Sequence, residues 1–153
     1  MAPSNVELGG TMSLSALVDV NWLAAIVAAV VYYALGALWY NRAFLGRPWM
    51  RSLGWDESRE PPQMTAASYI GPLIGYLLLA GAIGSLLVAT ETTSASGGLA
   101  LGVIVGVGVA AALFYVTAAF DPQRPKPMLW FLVTAGYHLV GISITAVLMA
   151  LWR

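Results

Sequence analysis

The chain has no cysteine, one histidine and few charges: seven Lys/Arg and seven Asp/Glu in 153 residues, or 9%. Without cysteine there is no disulfide framework and no thiolate metal site, and the redox compartment cannot be read from thiol usage. A soluble domain carries about 25% charged residues and about 45–50% apolar ones. With 59% apolar residues, this chain has too little polar material to coat a soluble globule. Its charges cancel and form no basic patch for a phosphate backbone, so no nucleic-acid partner is expected.

What is present is apolar and long. Trp22–Tyr40 runs 19 residues without a charge, Ala66–Ala89 runs 24, Gly97–Phe120 runs 24 and Met128–Trp152 runs 25. A hydrocarbon core about 30 Å thick is crossed by roughly 20 apolar residues in helix. The expected fold is an all-α integral membrane protein: four transmembrane helices in a bundle, with spans at about 20–41, 65–90, 97–120 and 127–152. Residues 1–16 read as a loosely ordered tail, with Met12 an alternative start, and 17–153 as the membrane domain. The tail has no Lys or Arg before the first span, so it does not read as a secretory signal.

Six of the seven basic residues lie in two loops: Arg42, Arg47, Arg51 and Arg59 after span one, Arg124 and Lys126 after span three. Basic loops resist translocation. Both loops are therefore expected in the cytoplasm and both termini outside. Trp39 and Tyr40 then form the inner aromatic belt, with Arg42 and Arg47 reaching to headgroup phosphate, and Trp22 and Trp152 mark the outer rim. Gly46 and Pro48 turn the chain. Trp49, Met50, Leu53 and Trp55 alternate with Arg47, Arg51 and Asp56, which predicts a short interfacial segment ended by Pro61-Pro62. Thr65 is placed to cap span two, and Asp19 and Asn21 to cap span one.

The stretch NWLAAIVAAVVYYALGALWY, the following Phe44–Met50 run FLGRPWM, the late GYHLVG of Gly136–Gly141 and the closing Leu151-Trp152 resemble the bacterial family known as domain of unknown function 1761. The likeness covers roughly Asn21 to Trp152 and is most specific at Leu38–Met50. It implies a small multi-span protein of the bacterial inner membrane, with no activity, substrate or catalytic residue to carry over.

Gly98, Gly102, Gly106 and Ala110 recur every fourth residue in span three, and Gly71/Gly75 and Ala80/Gly84 do so in span two. Small residues let helix backbones approach closely in lipid. These positions are expected to pack helices, inside one bundle or between copies. The two basic hairpins also echo each other, Trp39-Tyr40 with Phe114-Tyr115 and Arg47-Pro48 with Arg124-Pro125; belt and loop chemistry alone predicts most of those matches.

His138 is the one readily titratable side chain within a span, about 15 Å from the start of span four at 1.5 Å per residue. Tyr32, Tyr33 and Tyr76 fall at similar depth, and Thr134 lies one turn before His138 on the same face. A midplane polar cluster is expected. With no Asp or Glu in any span, a carboxylate–histidine relay is missing, and Asp19 and Glu91 sit at the rim, away from any Ser/His/Asp set. One histidine is too few for zinc, and a haem would need an axial partner that nothing specifies. The bland role is a neutral imidazole bonded to a Tyr or Thr hydroxyl; the sharper roles are proton or substrate handling, or ligation of a cofactor. The chain reads as non-enzymatic and without a cofactor, an accessory or structural subunit or a homo-oligomer in the bilayer, with a small channel or transporter around His138 as the alternative.

Overall fold

The computed structural model describes residues 14–55 and 64–152. Met12, Asp56, Arg59, Pro61-Pro62 and most of the expected tail lie outside the described residues. From Leu14 the tail is not loose: Leu14–Leu17 is a 3-10 turn lying against the second span. Helices α1 (Trp22–Trp39), α2 (Gly46–Ser52), α3 (Ala66–Ala89), α4 (Ala95–Val105), α5 (Ala112–Ala119) and α6 (Pro127–Leu151) follow. A π-helical segment, Gly106–Ala111, joins α4 to α5 into one continuous span. The described chain is all-helical, and four of its helices are long and apolar enough to cross a membrane.

The caps explain where the spans start and stop. Asn21 accepts from the Ala24 N–H at 3.0 Å, and Ser94 accepts from Gly97 N–H at 3.1 Å. Asp19 does not cap; it lines a small hollow near Gly84 and Met149. Thr65 occupies the cap position of α3, but its hydroxyl meets that of Ser68 at 3.2 Å instead of a backbone N–H. At the far end of α3, Thr92 N–H bonds to Leu87 C=O at 3.0 Å and Glu91 N–H to Val88 C=O at 3.1 Å. This is a Schellman stop with Glu91, at φ 51°, in the left-handed position usually given to glycine.

The short interfacial segment is α2. It is folded back beneath α1 by a tight turn in which Gly46 N–H bonds to Asn41 C=O at 3.0 Å. A Cβ on Gly46 would collide with the Tyr40 carbonyl oxygen, so the turn needs glycine for close approach. The two basic loops meet at one end of the bundle: Lys126 N–H reaches Ser52 C=O at 3.4 Å, and Gly54 abuts Pro125.

Helix α6 is the hub. It touches α1, α2, α3 and the whole third span. The third span packs almost entirely on α6 and is the least enclosed of the four, so the architecture is a three-helix core with a fourth helix laid on its back. The close contact is the glycine stripe. A Cβ at Gly98 would meet Ala146 O at 2.8 Å, at Gly102 Ser143 Cα at 2.6 Å, and at Gly106 Leu139 Cδ1 at 2.7 Å. The stripe continues through Ala110 and Phe114, both half-buried, to Ala118, which is buried. An α-helix at 3.6 residues per turn swings a four-residue stripe sideways by about 40° each step. The wider π turn at Gly106–Ala111 slows that rotation and keeps Phe114 and Ala118 facing α6.

Gly71 and Gly75 do not pack inside this bundle: a Cβ at either would meet nothing within 4 Å among the described residues. Helix α3 is exposed from Ala66 through Gly75 and buried only from Ala80 onward. Pro72 sits in the exposed half; it cannot donate to the Ser68 carbonyl and its ring crowds that turn. The first half of α3 thus stands off the core. Ala80 and Gly84 pack as expected, with Gly84 against Met149 and Val20.

A candidate binding cleft

The gap left by α3 is a cleft. It opens at the end that carries the basic loops, is bounded by α1, α2, α3 and α6, and has a volume of about 630 Å³. Its walls are mainly aromatic: Tyr33, Tyr40, Trp49, Tyr69, Tyr76, Trp130 and Tyr137. Thr134 and His138 line its deep end. Beyond them the bundle closes. Ala24, Ala25, Ala28, Ala80, Ile83, Leu87, Ile142 and Ala146 are all at most 2% exposed. The cleft therefore reaches mid-span from one end and stops against close-packed small residues.

The floor is a bonded aromatic group. Tyr32 Oη lies 2.7 Å from His138 Nδ1 and 3.3 Å from the His138 carbonyl oxygen. The Tyr137 hydroxyl lies 3.0 Å from the Tyr32 carbonyl oxygen and 3.0 Å from the Tyr76 hydroxyl, with one proton to share between them. The Tyr32 and Tyr76 rings stack at 4.3 Å between centroids, 17° from parallel. Phe114 stacks on the back of the imidazole at 4.6 Å and 24°. Tyr33 joins edge-on to Tyr76 at 6.4 Å. Glycines make room for this group. A Cβ on Gly141 would fall on the Tyr32 ring, and one on Gly36 would sit 2.9 Å from the Tyr137 hydroxyl.

The expected polar cluster of His138, Tyr32, Tyr33, Tyr76 and Thr134 is thus gathered in one place, though Thr134 contributes least. Its Oγ1 is buried without a hydrogen bond of acceptable geometry, although the Tyr40 phenol faces it. Tyr137 and Phe114 are additional members. Tyr137 is next to His138 in sequence, where helical neighbours diverge by about 100°, so a face-by-face reading separates them. Phe114 continues the small-residue stripe by one step, a signal that was there to be followed.

The expected anchors divide. Arg42 and Arg47 are exposed, and Trp22 and Trp152, 44% and 42% exposed, mark the opposite end, where Asn21 Nδ2 donates to the Trp152 carbonyl at 3.2 Å. Trp39 and Tyr40 are corrections to the belt: both turn inward. Trp39 Nε1–H donates to the Val133 carbonyl at 3.1 Å, and Tyr40 packs edge-on against Tyr137 and Trp49. An indole N–H buried between helices finds a carbonyl in place of a headgroup. Trp49 packs edge-on against Trp55 as well. At the mouth, Arg124 lies 4.0 Å over the Trp130 ring and pairs with Asp121 at 2.8 Å.

The family described as Protein of unknown function (DUF1761) matches residues 23–150, nearly the whole chain. The chain belongs to this family. No curated protein and no solved structure matches this DUF1761 chain. The stretches that carried the resemblance now have places in the DUF1761 fold. Gly136–Gly141 supplies Tyr137, His138 and the gap for Tyr32, while Phe44–Met50 makes the turn and α2 beside the cleft mouth. Among the described residues of the DUF1761 chain, no group of three His, Cys, Asp or Glu side chains stands ready to hold a metal ion. What the cleft offers chemically is stacking surface, hydroxyl groups and one imidazole.

Proposed function

We propose that this chain is a non-enzymatic membrane protein that binds a small amphipathic molecule in the cleft, as a carrier does. The observation that supports this reading is the one-sided cleft ending at His138. Its volume of about 630 Å³ lies within the range of about 300–1,000 Å³ typical of small-molecule sites, which are mostly apolar with a few placed polar groups. The closed half beyond Tyr32 favours a carrier open to one side over a continuous channel. The distribution of basic residues supports an orientation with the cleft opening to the cytoplasm and both termini outside, and the family resemblance supports a bacterial inner membrane as its place. A second reading, an accessory subunit or homo-oligomer, draws on the outer face of the third span, where Val103, Ile104, Val107 and Leu113 are exposed and Gly108 has nothing within 4 Å.

The native chain has no cysteine, so single thiols report on the cleft directly. Ser68→Cys and Ala37→Cys, both exposed on its walls, are expected to react with a water-soluble maleimide added on the cytoplasmic side. Ala28→Cys, 1% exposed in the closed half, is expected not to react. Maleimide needs the thiolate, and hence water, at the site. Unreactive thiols at 68 and 37 in a folded protein would overturn the carrier reading and leave a dry structural cluster.

A further inference from the structure

The polar groups at the cleft floor are already half committed, and what remains free states what they would bind. Tyr32 Oη is closest to His138 Nδ1, at 2.7 Å. A phenol is a good donor and an imidazole nitrogen a good acceptor, so the Tyr32 proton is directed to Nδ1. The histidine proton is then on Nε2. Among the described residues Nε2 has no protein hydrogen-bond partner, and His138 lines the cleft. A single N–H donor is therefore left for a space walled by aromatic rings, which Tyr76 also lines, its ring centroid 6.5 Å from that of His138 and its hydroxyl accepting from Tyr137 with its own proton free.

That arrangement discriminates among ligand charges. Among the described residues, no Asp, Glu, Lys or Arg lines the cleft. A cation would be drawn to the ring faces, but the Trp130 face already carries the Arg124 guanidinium, and at the floor it would meet an N–H donor where it needs an acceptor. An anion buried to the depth of His138 would meet one neutral N–H and no positive charge, far short of its desolvation cost. A neutral acceptor suffers neither penalty. Flat walls such as the Tyr76 and Trp130 rings suit a flat ring, and the cleft lies in the membrane-crossing part of helices α1, α3 and α6.

We infer that the cleft takes a neutral, lipid-soluble ring compound of the quinone class, one ring carbonyl accepting from His138 Nε2–H and the Tyr76 hydroxyl, the ring lying among the tyrosines and its chain leaving past the exposed half of α3. This rests on the reading of the cleft as a binding site. No electron transfer is assigned to it.

The test uses the full chain in detergent. Decylubiquinone is expected to quench tryptophan fluorescence saturably, since Trp49 and Trp130 line the cleft, and to raise the melting temperature. His138→Phe and Tyr76→Phe keep a ring and remove one polar group; each is expected to weaken binding about five- to tenfold, the loss of one neutral hydrogen bond. The Tyr76 variant keeps the assignment testable if the His138 variant fails to fold. Tetraphenylphosphonium and laurate serve as the cationic and anionic arms. Saturable binding of either in place of decylubiquinone overturns the ligand class while leaving a binding cleft. Decylubiquinone binding unchanged in both variants overturns the proposed contacts. No response to any probe, with Ser68→Cys still reactive to maleimide, overturns the ligand class as well, whereas an unreactive Ser68→Cys removes the cleft itself.

Discussion

Replacing Gly141 by alanine tests how the cleft floor is built. The added methyl would fall on three atoms of the Tyr32 ring. That ring is 1% exposed and stacked on Tyr76. Tyr32 must swing away, and two contacts go with it: the 2.7 Å bond to His138 and the 4.3 Å stack on Tyr76. Overpacking costs about 1–3 kcal/mol, a hydrogen bond about 0.5–1.5 and an aromatic pair about 0.5–1.5. Alanine recovers about 1 kcal/mol over glycine in a helix interior. The net expectation is a loss of about 3 kcal/mol, which for a chain of this size lowers the melting temperature on the order of 10 °C. Gly75→Ala is the reference, because its Cβ meets nothing within 4 Å among the described residues and should stabilise by about 1 kcal/mol through helix propensity alone. Both variants would be heated in one detergent and the remaining monodisperse fraction measured by size exclusion. In a Tyr32→Leu background the cost of Gly141→Ala should largely disappear, since the two sites are coupled through one ring. Equal melting of Gly141→Ala and Gly75→Ala would refute the steric argument.

Further expectations follow from other contacts. Gly102→Leu and Gly106→Leu should destabilise strongly, because their side chains would enter the α6 backbone at Ser143 and Leu139; Val103→Leu, on a face 42% exposed, should be near neutral, and equal melting of all three would count against the packing scheme. Thr145 is fully buried with an unpartnered hydroxyl, so Thr145→Val should raise stability by about 1 kcal/mol; a lower melting temperature would show that the hydroxyl is bonded. Glu91→Gly should stabilise by a few tenths to about 1 kcal/mol by relieving a left-handed φ of 51°, readable in the same melts. A fluorescent reporter active only in the cytoplasm, fused to the C-terminus, should stay dark, and a bright one would invert the orientation drawn from the arginine loops.

Four uncharged runs of adequate length leave a chain no soluble alternative, so the class of fold was legible from composition. Local chemistry was legible too: Asn21 caps α1, Gly46 turns the chain, and the spacing of Gly98, Gly102 and Gly106 marked a close contact. These features depend on near neighbours or on helix period, which sequence states directly. The tertiary structure alone decided which faces meet. Gly71 and Gly75 have the same spacing as Gly102 and Gly106, yet α3 stands off the core there and nothing faces them. Trp39 and Tyr40 have the composition of a membrane belt, yet they turn toward α6 because a carbonyl and a ring are available inside. In a membrane span nearly every residue is apolar whether it faces protein or lipid, so hydrophobic periodicity, which orients helices in water, carries little information about orientation here. Only the packing of α6 against three other spans brings residues 32, 76, 114 and 138 together around one cleft.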